Sequence, residues 1–195
     1  MPTQLSFFPV GNGDMTLIQL NDSGSEERPT TILIDCCLTE NGSNGCDPAQ
    51  DLRERLPEDA NGRPYVDVFS LSHPDEDHCR GLQKKFHLGP LDEYEDEPSE
   101  GQKKIVIKEM WSSPVVFRRA SKKFTLCPDA KAWRTEAKRR VGVHRERKNQ
   151  GDEEASPNSG DRIRLFGQDF DDQGNDKNYD VPELAHHVDT DFQEI

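Results

Sequence analysis

Apolar material is scarce in this chain. Of its 195 residues only 31% are hydrophobic, while 32% are charged. So low a share predicts that part of the chain is loop, or surface awaiting a partner. No apolar run approaches the roughly 20 residues that span a bilayer, which excludes a transmembrane helix and membrane partners of that kind. The opening segment MPTQLSFFPVGNGD lacks a basic start and a long apolar core, so a secretory leader is not expected. Cysteine is sparse as well: five, an odd number at irregular spacing, do not make a disulfide framework. A reducing, cytoplasmic setting is the expectation. Positive charge is in deficit, with 25 Lys and Arg against 38 Asp and Glu, a net −13.

The deficit is uneven. Residues 118–148 hold twelve of the basic residues and only three acids, Asp129, Glu136 and Glu146. An acidic protein is repelled by nucleic acid at long range, yet a basic block can hold a phosphate backbone locally. Arg134, Lys138, Arg139 and Arg140 are the candidates for that grip; a solvated helix face is the alternative.

The apolar segments alternate between strand and helix patterns. Residues 4–10 and 15–20 are short apolar runs joined by Gly-Asn-Gly-Asp, a strong turn signal, and 30–36 (TTILIDC) is a third strand. These three predict an antiparallel meander. Residues 46–56 read as a helix with Asp47 as N-cap and Pro48 at the first helical position. A strand follows at 66–72, a short helix starts near 81–86, and 105–111 is another strand. Residues 128–141 form a helix with Lys138, Arg139 and Arg140 in its last turn, and 162–166 is a final strand. Residues 87–104, 145–160 and 168–195 read as loop, and no internal repeat is present. The expected class is α/β (α+β), with a domain over 1–167 and an acidic tail, or the start of a second half, over 168–195.

Chemistry concentrates after the 66–72 strand. His73, Asp75, Asp77 and His78 fall within six residues, just before Gly81. Imidazole nitrogens and carboxylate oxygens are ligands for borderline and hard divalent metals. A tight loop at a strand end can turn His73 and Asp75 to one ion and Asp77 and His78 to another, activating a water between them. The bland alternative is a polar loop whose Asp residues cap turns. Trp133 has core spacing with Ala137 and Val141, and Trp111 reads as core at a strand end. Ser112 and Ser113 are candidates for touching a phosphate. Cys36 and Cys37 read as packed free thiols and Cys127 as structural.

The run His73-Pro-Asp75-Glu-Asp77-His78-Cys-Arg-Gly81-Leu82 resembles the metal-binding motif of the metallo-β-lactamase fold, with Asp75 where the usual second histidine stands. That variant is similar to the branch typified by the metallo-β-lactamase domain of the competence proteins that internalise DNA. Val10-Gly-Asn-Gly13-Asp14-Met-Thr-Leu-Ile-Gln-Leu20 resembles the branch's opening hairpin, and Ile32-Leu-Ile34-Asp35 its third strand. The resemblance implies an αββα sandwich and a metal-dependent hydrolase, often of phosphodiesters. It makes His73 and Asp75 ligands of a first metal and Asp77 and His78 of a second. Asp77 also orients the attacking water, while Asp14 and Asp35 hold ligand geometry by hydrogen bonds. One or two divalent ions, Zn²⁺ or Mn²⁺, are implied; Asp75 in place of histidine tilts preference toward the harder ion.

Beyond Leu82 only the order of elements matches. The fold's second half adds another His, an Asp usually after Gly, and a final His. Here His87, His144, His186 and His187 lack the expected settings, and Gly160-Asp161 reads as a turn into the last strand. The expectation is therefore the first half of the sandwich. Its function is that of a phosphodiesterase or nuclease, completed by a missing C-terminal half or a partner chain. The alternative is a catalytically incomplete metal-binding or interaction module.

Overall fold

The apolar runs of the N-terminal third become strands because β-branched residues fit a pleated, half-buried surface. In a computed structural model, residues 3–21, 28–38, 47–96, 102–113, 125–151 and 155–166 are described. Strands β1 (Gln4–Phe7), β2 (Thr16–Leu20) and β3 (Thr30–Ile34) pair antiparallel, as the meander expectation had it. A two-residue strand, β4 (Cys36–Cys37), follows β3. Next come β5 (Tyr65–Ser70), β6 (Val106–Ser112) and β7 (Arg162–Leu165), each parallel to its neighbour. The result is a mixed six-stranded sheet in the order β1-β2-β3-β5-β6-β7.

One row of side chains shows how the core is laid out. Leu17 pairs with Leu33, Leu33 with Phe69 and Phe69 with Met110, and all four are fully buried. Helix α4 (Pro128–Gln150) covers this row with Ala130, Trp133, Ala137 and Val141. The Phe69 ring lies 5.0 Å from both Trp133 and Phe86. Burying such rings contributes several kcal/mol; truncating one to alanine costs about 3–5 kcal/mol. Helix α1 (Pro48–Arg55) adds Ala49 and Leu52, and starts as the sequence predicts, with Asp47 Oδ1 accepting from Ala49 N and Gln50 N. At the far edge, Leu5, Phe7 and Leu20 of β1 and β2 are exposed apolar side chains.

Three local expectations change. Helix α4 runs nine residues past Val141, because residues 143–150 are mostly helix formers and the stop is Gly151, at φ 79°. Trp111 leaves the core: its Nε1 donates to Glu109 Oε1 and its ring meets Phe166 edge-on. Ser112 is buried under Trp133, which donates to its Oγ, so it does not face a phosphate. Gly160, at φ 71°, does lead into β7. Residues 167–195, with His186 and His187, lie outside the described residues. Among the described residues no helix is long and apolar enough to cross a membrane.

Candidate metal centre

The parallel strands β3 and β5 end side by side, and crevices at the carboxyl ends of such strands are where α/β sheets place ligands. Asp35 follows β3 with φ 56°, a left-handed conformation that Asp tolerates better than most residues. Its backbone N–H is held by Ser70 O at 2.9 Å. The turn drives the carboxylate inward. Oδ1 accepts from Ser72 N at 2.7 Å, and Oδ2 accepts from Ser72 Oγ at 2.6 Å and faces His78 Nδ1 at 2.9 Å.

These contacts assign the tautomers of both histidines. A carboxylate only accepts, so His78 carries its proton on Nδ1. Ser72 gives its hydroxyl proton to Asp35, so its oxygen, 3.0 Å from His73 Nδ1, accepts from that ring as well. Each histidine is left with a lone pair on Nε2. The ring centroids lie 3.7 Å apart, with the planes tilted by 46°.

Both Nε2 atoms point at carboxylates. His73 Nε2 lies 3.6 Å from Asp75 Oδ2. His78 Nε2 lies 3.8 Å from Asp77 Oδ2 and 3.8 Å from Asp14 Oδ2. Burial opposes protonation of His78, but the hydrogen bond and charge of Asp35, with the charges of Asp77 and Asp14, hold its pKa above the usual histidine value. The two carboxylates on either side of His78 differ in exposure: the Asp35 side chain is 5% accessible and that of Asp14 75%. Asp14 thus stands before the open nitrogen of His78, whereas Asp35 stands behind the ring.

Asp77 and His78 ride on α2 (Glu76–Cys79), and close backbone packing holds that single turn. An added Cβ at Gly13 falls 2.7 Å from Asp77 O and 2.6 Å from Cys37 Sγ, so only glycine fits there. Asp14 N donates to the same Asp77 carbonyl at 3.3 Å. On the other side Gly81, at φ 85°, abuts Leu38, and β4 makes parallel bridges to Cys79 and Arg80. The chain then enters α3 (Leu82–Lys85), whose start is capped from a distance: the Asp129 carboxylate accepts from Gly81 N and Gln83 N, both at 2.9 Å. Burial pushes the thiols of Cys36, Cys37 and Cys79 up, so they stay protonated.

The donors fit a divalent ion in pairs. Two ligand atoms about 2.1 Å from one tetrahedral ion stand about 3.4 Å apart, close to the separations seen here. Among the described residues no three His, Cys, Asp or Glu side chains form a group ready to hold an ion. Ser72 and Asp129 are site-shaping residues that sequence reasoning missed. Ser72 could have been noticed as the hydroxyl beside His73, but nothing local marks Asp129.

The nucleic-acid candidates separate. Arg140 is buried at 1% accessibility, with Nε on Glu136 Oε1 and its two terminal nitrogens donating to Ile107 O and Arg162 O. β7 pairs with β6 only from Glu109 onward, so the guanidinium covers the Ile107 carbonyl, which lies before that pairing. Arg139 is tied to Glu136, Asp161 and Gly160 O. Burial opposes its charge, but the Glu136 and Asp161 bonds hold its pKa above the ordinary value. Neither is available to grip a phosphate backbone. Lys138 is exposed and Arg134 half-buried. Comparison of this chain with protein-family models, curated proteins and solved structures finds no match to any of the three.

Proposed function

We propose that this chain carries the metal-binding part of a hydrolase of the metallo-β-lactamase type, acting on phosphodiesters. The observation that carries the reading is the Asp35–Ser72 network. It protonates both histidines at Nδ1 and leaves each Nε2 lone pair facing a carboxylate. His73 with Asp75, and His78 with Asp77, would hold one or two ions, with Asp14 beside His78 Nε2. A divalent cation there supplies Lewis-acid polarisation of a phosphoryl oxygen and acidifies water near neutral pH. Asp77 accepts a hydrogen bond from the attacking water and aims its lone pair at phosphorus. Asp35 keeps His78 in the ligating tautomer, and the Gly13 contact keeps Asp14 at the open side.

The carboxylate-rich donor set favours Mn²⁺ or Mg²⁺ over Zn²⁺, in keeping with phosphoryl chemistry. The sandwich reading draws further support from Leu5, Phe7 and Leu20, whose exposed side chains a second sheet would bury. A second reading follows from the pairing of the donors. With two ligands in each pair, the chain serves as a binding module until a partner adds more.

The test is metal content by mass spectrometry, followed by hydrolysis of bis(4-nitrophenyl) phosphate with added Mn²⁺. We expect near-stoichiometric metal that is lost in His78→Ala, with hydrolysis lost in Asp77→Ala. Retention of metal without hydrolysis in the unmutated chain favours the binding module. Metal content equal in the unmutated chain and His78→Ala overturns the ligand assignment.

A further inference from the structure

A pair of thiols beside the site is used by nothing described so far. Cys79 closes α2, and Cys127 is the N-cap of α4, 48 residues later. Their Sγ atoms lie 3.6 Å apart. We propose that Cys79 and Cys127 form a reversible disulfide that clips α2 to the start of α4, with a peroxide as oxidant.

The two sulfurs differ in the way such a reaction needs. Cys127 is partly accessible and accepts the Ala130 N–H at 3.3 Å, in the first turn of a 23-residue helix. Being the accessible sulfur of the pair, it is the one a peroxide meets first. Cys79 is fully buried, with its thiol on Asp75 O at 3.2 Å, so oxidant reaches it only through Cys127. The backbones already lie close, because Asp129, two residues after Cys127, holds Gly81 N and Gln83 N, just after Cys79. Closing from 3.6 Å to the roughly 2.05 Å of a disulfide needs a small shift of two side chains.

The chemistry balances. The Cys127 sulfur attacks one peroxide oxygen and the O–O bond breaks; the sulfur becomes a sulfenic acid, and the other oxygen leaves as water with the thiol's proton. The Cys79 sulfur then attacks the Cys127 sulfur. An S–S bond forms, the S–O bond breaks, and hydroxide leaves as water with the Cys79 proton. Two thiols are oxidised and one peroxide is reduced to two waters. Cys79 thereby gives up its bond to Asp75 O, so oxidation reaches the loop that carries Asp75.

The test treats the full reduced chain with graded hydrogen peroxide, quenches free thiols, and reads intact mass and non-reduced peptides. The expected result is loss of two hydrogen masses, a Cys79–Cys127 cross-linked peptide, and slowed hydrogen exchange over residues 76–80, all reversed by dithiothreitol. Cys127→Ser, a small change at a partly exposed site, should abolish the cross-link and leave Cys79 unmodified. Cross-links confined to Cys36, Cys37 or Cys46 overturn the proposal. So does accumulation of Cys127 sulfinic acid with Cys79 still free.

Discussion

Asp35→Asn isolates the network behind the site. Asparagine keeps the shape and tolerates the left-handed backbone at φ 56°, so the main chain is not perturbed. Its oxygen can still accept from Ser72 N, but the other position becomes an NH₂ facing Ser72 Oγ and His78 Nδ1. A donor now meets the nitrogen that carried the proton, and the pairing survives only if His78 moves its proton to Nε2. The variant also replaces charge-assisted hydrogen bonds, worth about 1.5–3 kcal/mol, by neutral ones of about 0.5–1.5 kcal/mol. The net loss is about 1–3 kcal/mol, a fall in melting temperature of about 2–12 °C for a chain of this size. The imidazolium part has a definite sign. Because the folded-state pKa of His78 is raised, its contribution is fully present below the unfolded value, about 6.5, and is lost as pH rises through the folded value. Asparagine removes most of it, so the gap between the two proteins is wider at pH 5.5 than at pH 8. Nitrogen NMR of the imidazoles in metal-free protein should show Nδ1–H at His78 in the unmutated chain and Nε2–H in the variant. Mn²⁺ affinity by calorimetry should fall about 10–100-fold. An unchanged tautomer with unchanged affinity would refute the reasoning.

Two other substitutions probe the supports. Gly13→Ala places a methyl 2.7 Å from the Asp77 carbonyl, a backbone atom that cannot swing aside. It should cost about 1–3 kcal/mol in urea unfolding and weaken Mn²⁺ binding by displacing Asp14; a neutral effect on both would mean that the turn yields freely. Arg140→Ala leaves a buried carboxylate with one partner fewer and bares the Ile107 and Arg162 carbonyls. It should cost about 3–5 kcal/mol, whereas exposed Lys138→Glu stays within about 0.5 kcal/mol; equal effects would show that Arg140 is not structural.

What could be seen in the sequence was whatever depends on neighbours along the chain. The meander followed from β-branched runs and the Gly-Asn-Gly-Asp turn, α1 from Asp47 and Pro48, and the Trp133 packing from helical spacing. The four candidate donors stood out by crowding into residues 73–78. What stayed hidden depends on distant partners. Arg139 and Arg140 looked like free charge, yet Glu136 sits three and four residues before them, an ion-pair spacing that was readable. The end of α4 was missed because residues 143–150 are helical by propensity and lack a strong apolar period. Trp111 and Ser112 changed roles through elements that reach them from far along the chain, Phe166 after β7 and Trp133 on α4.

The Asp129 clamp has a consequence for how the protein is born. The turn with the candidate ligands is translated some fifty residues before the carboxylate that seats its exit. Closing a loop of that length is entropically costly and is rewarded only once both ends are present. On the ribosome, residues 73–78 therefore emerge after their partners at Gly13, Asp14 and Asp35 but before the clamp on Gly81 and Gln83. That clamp closes in one late step, when α4 docks its first turn, and a nascent chain stalled before Asp129 lacks that anchor.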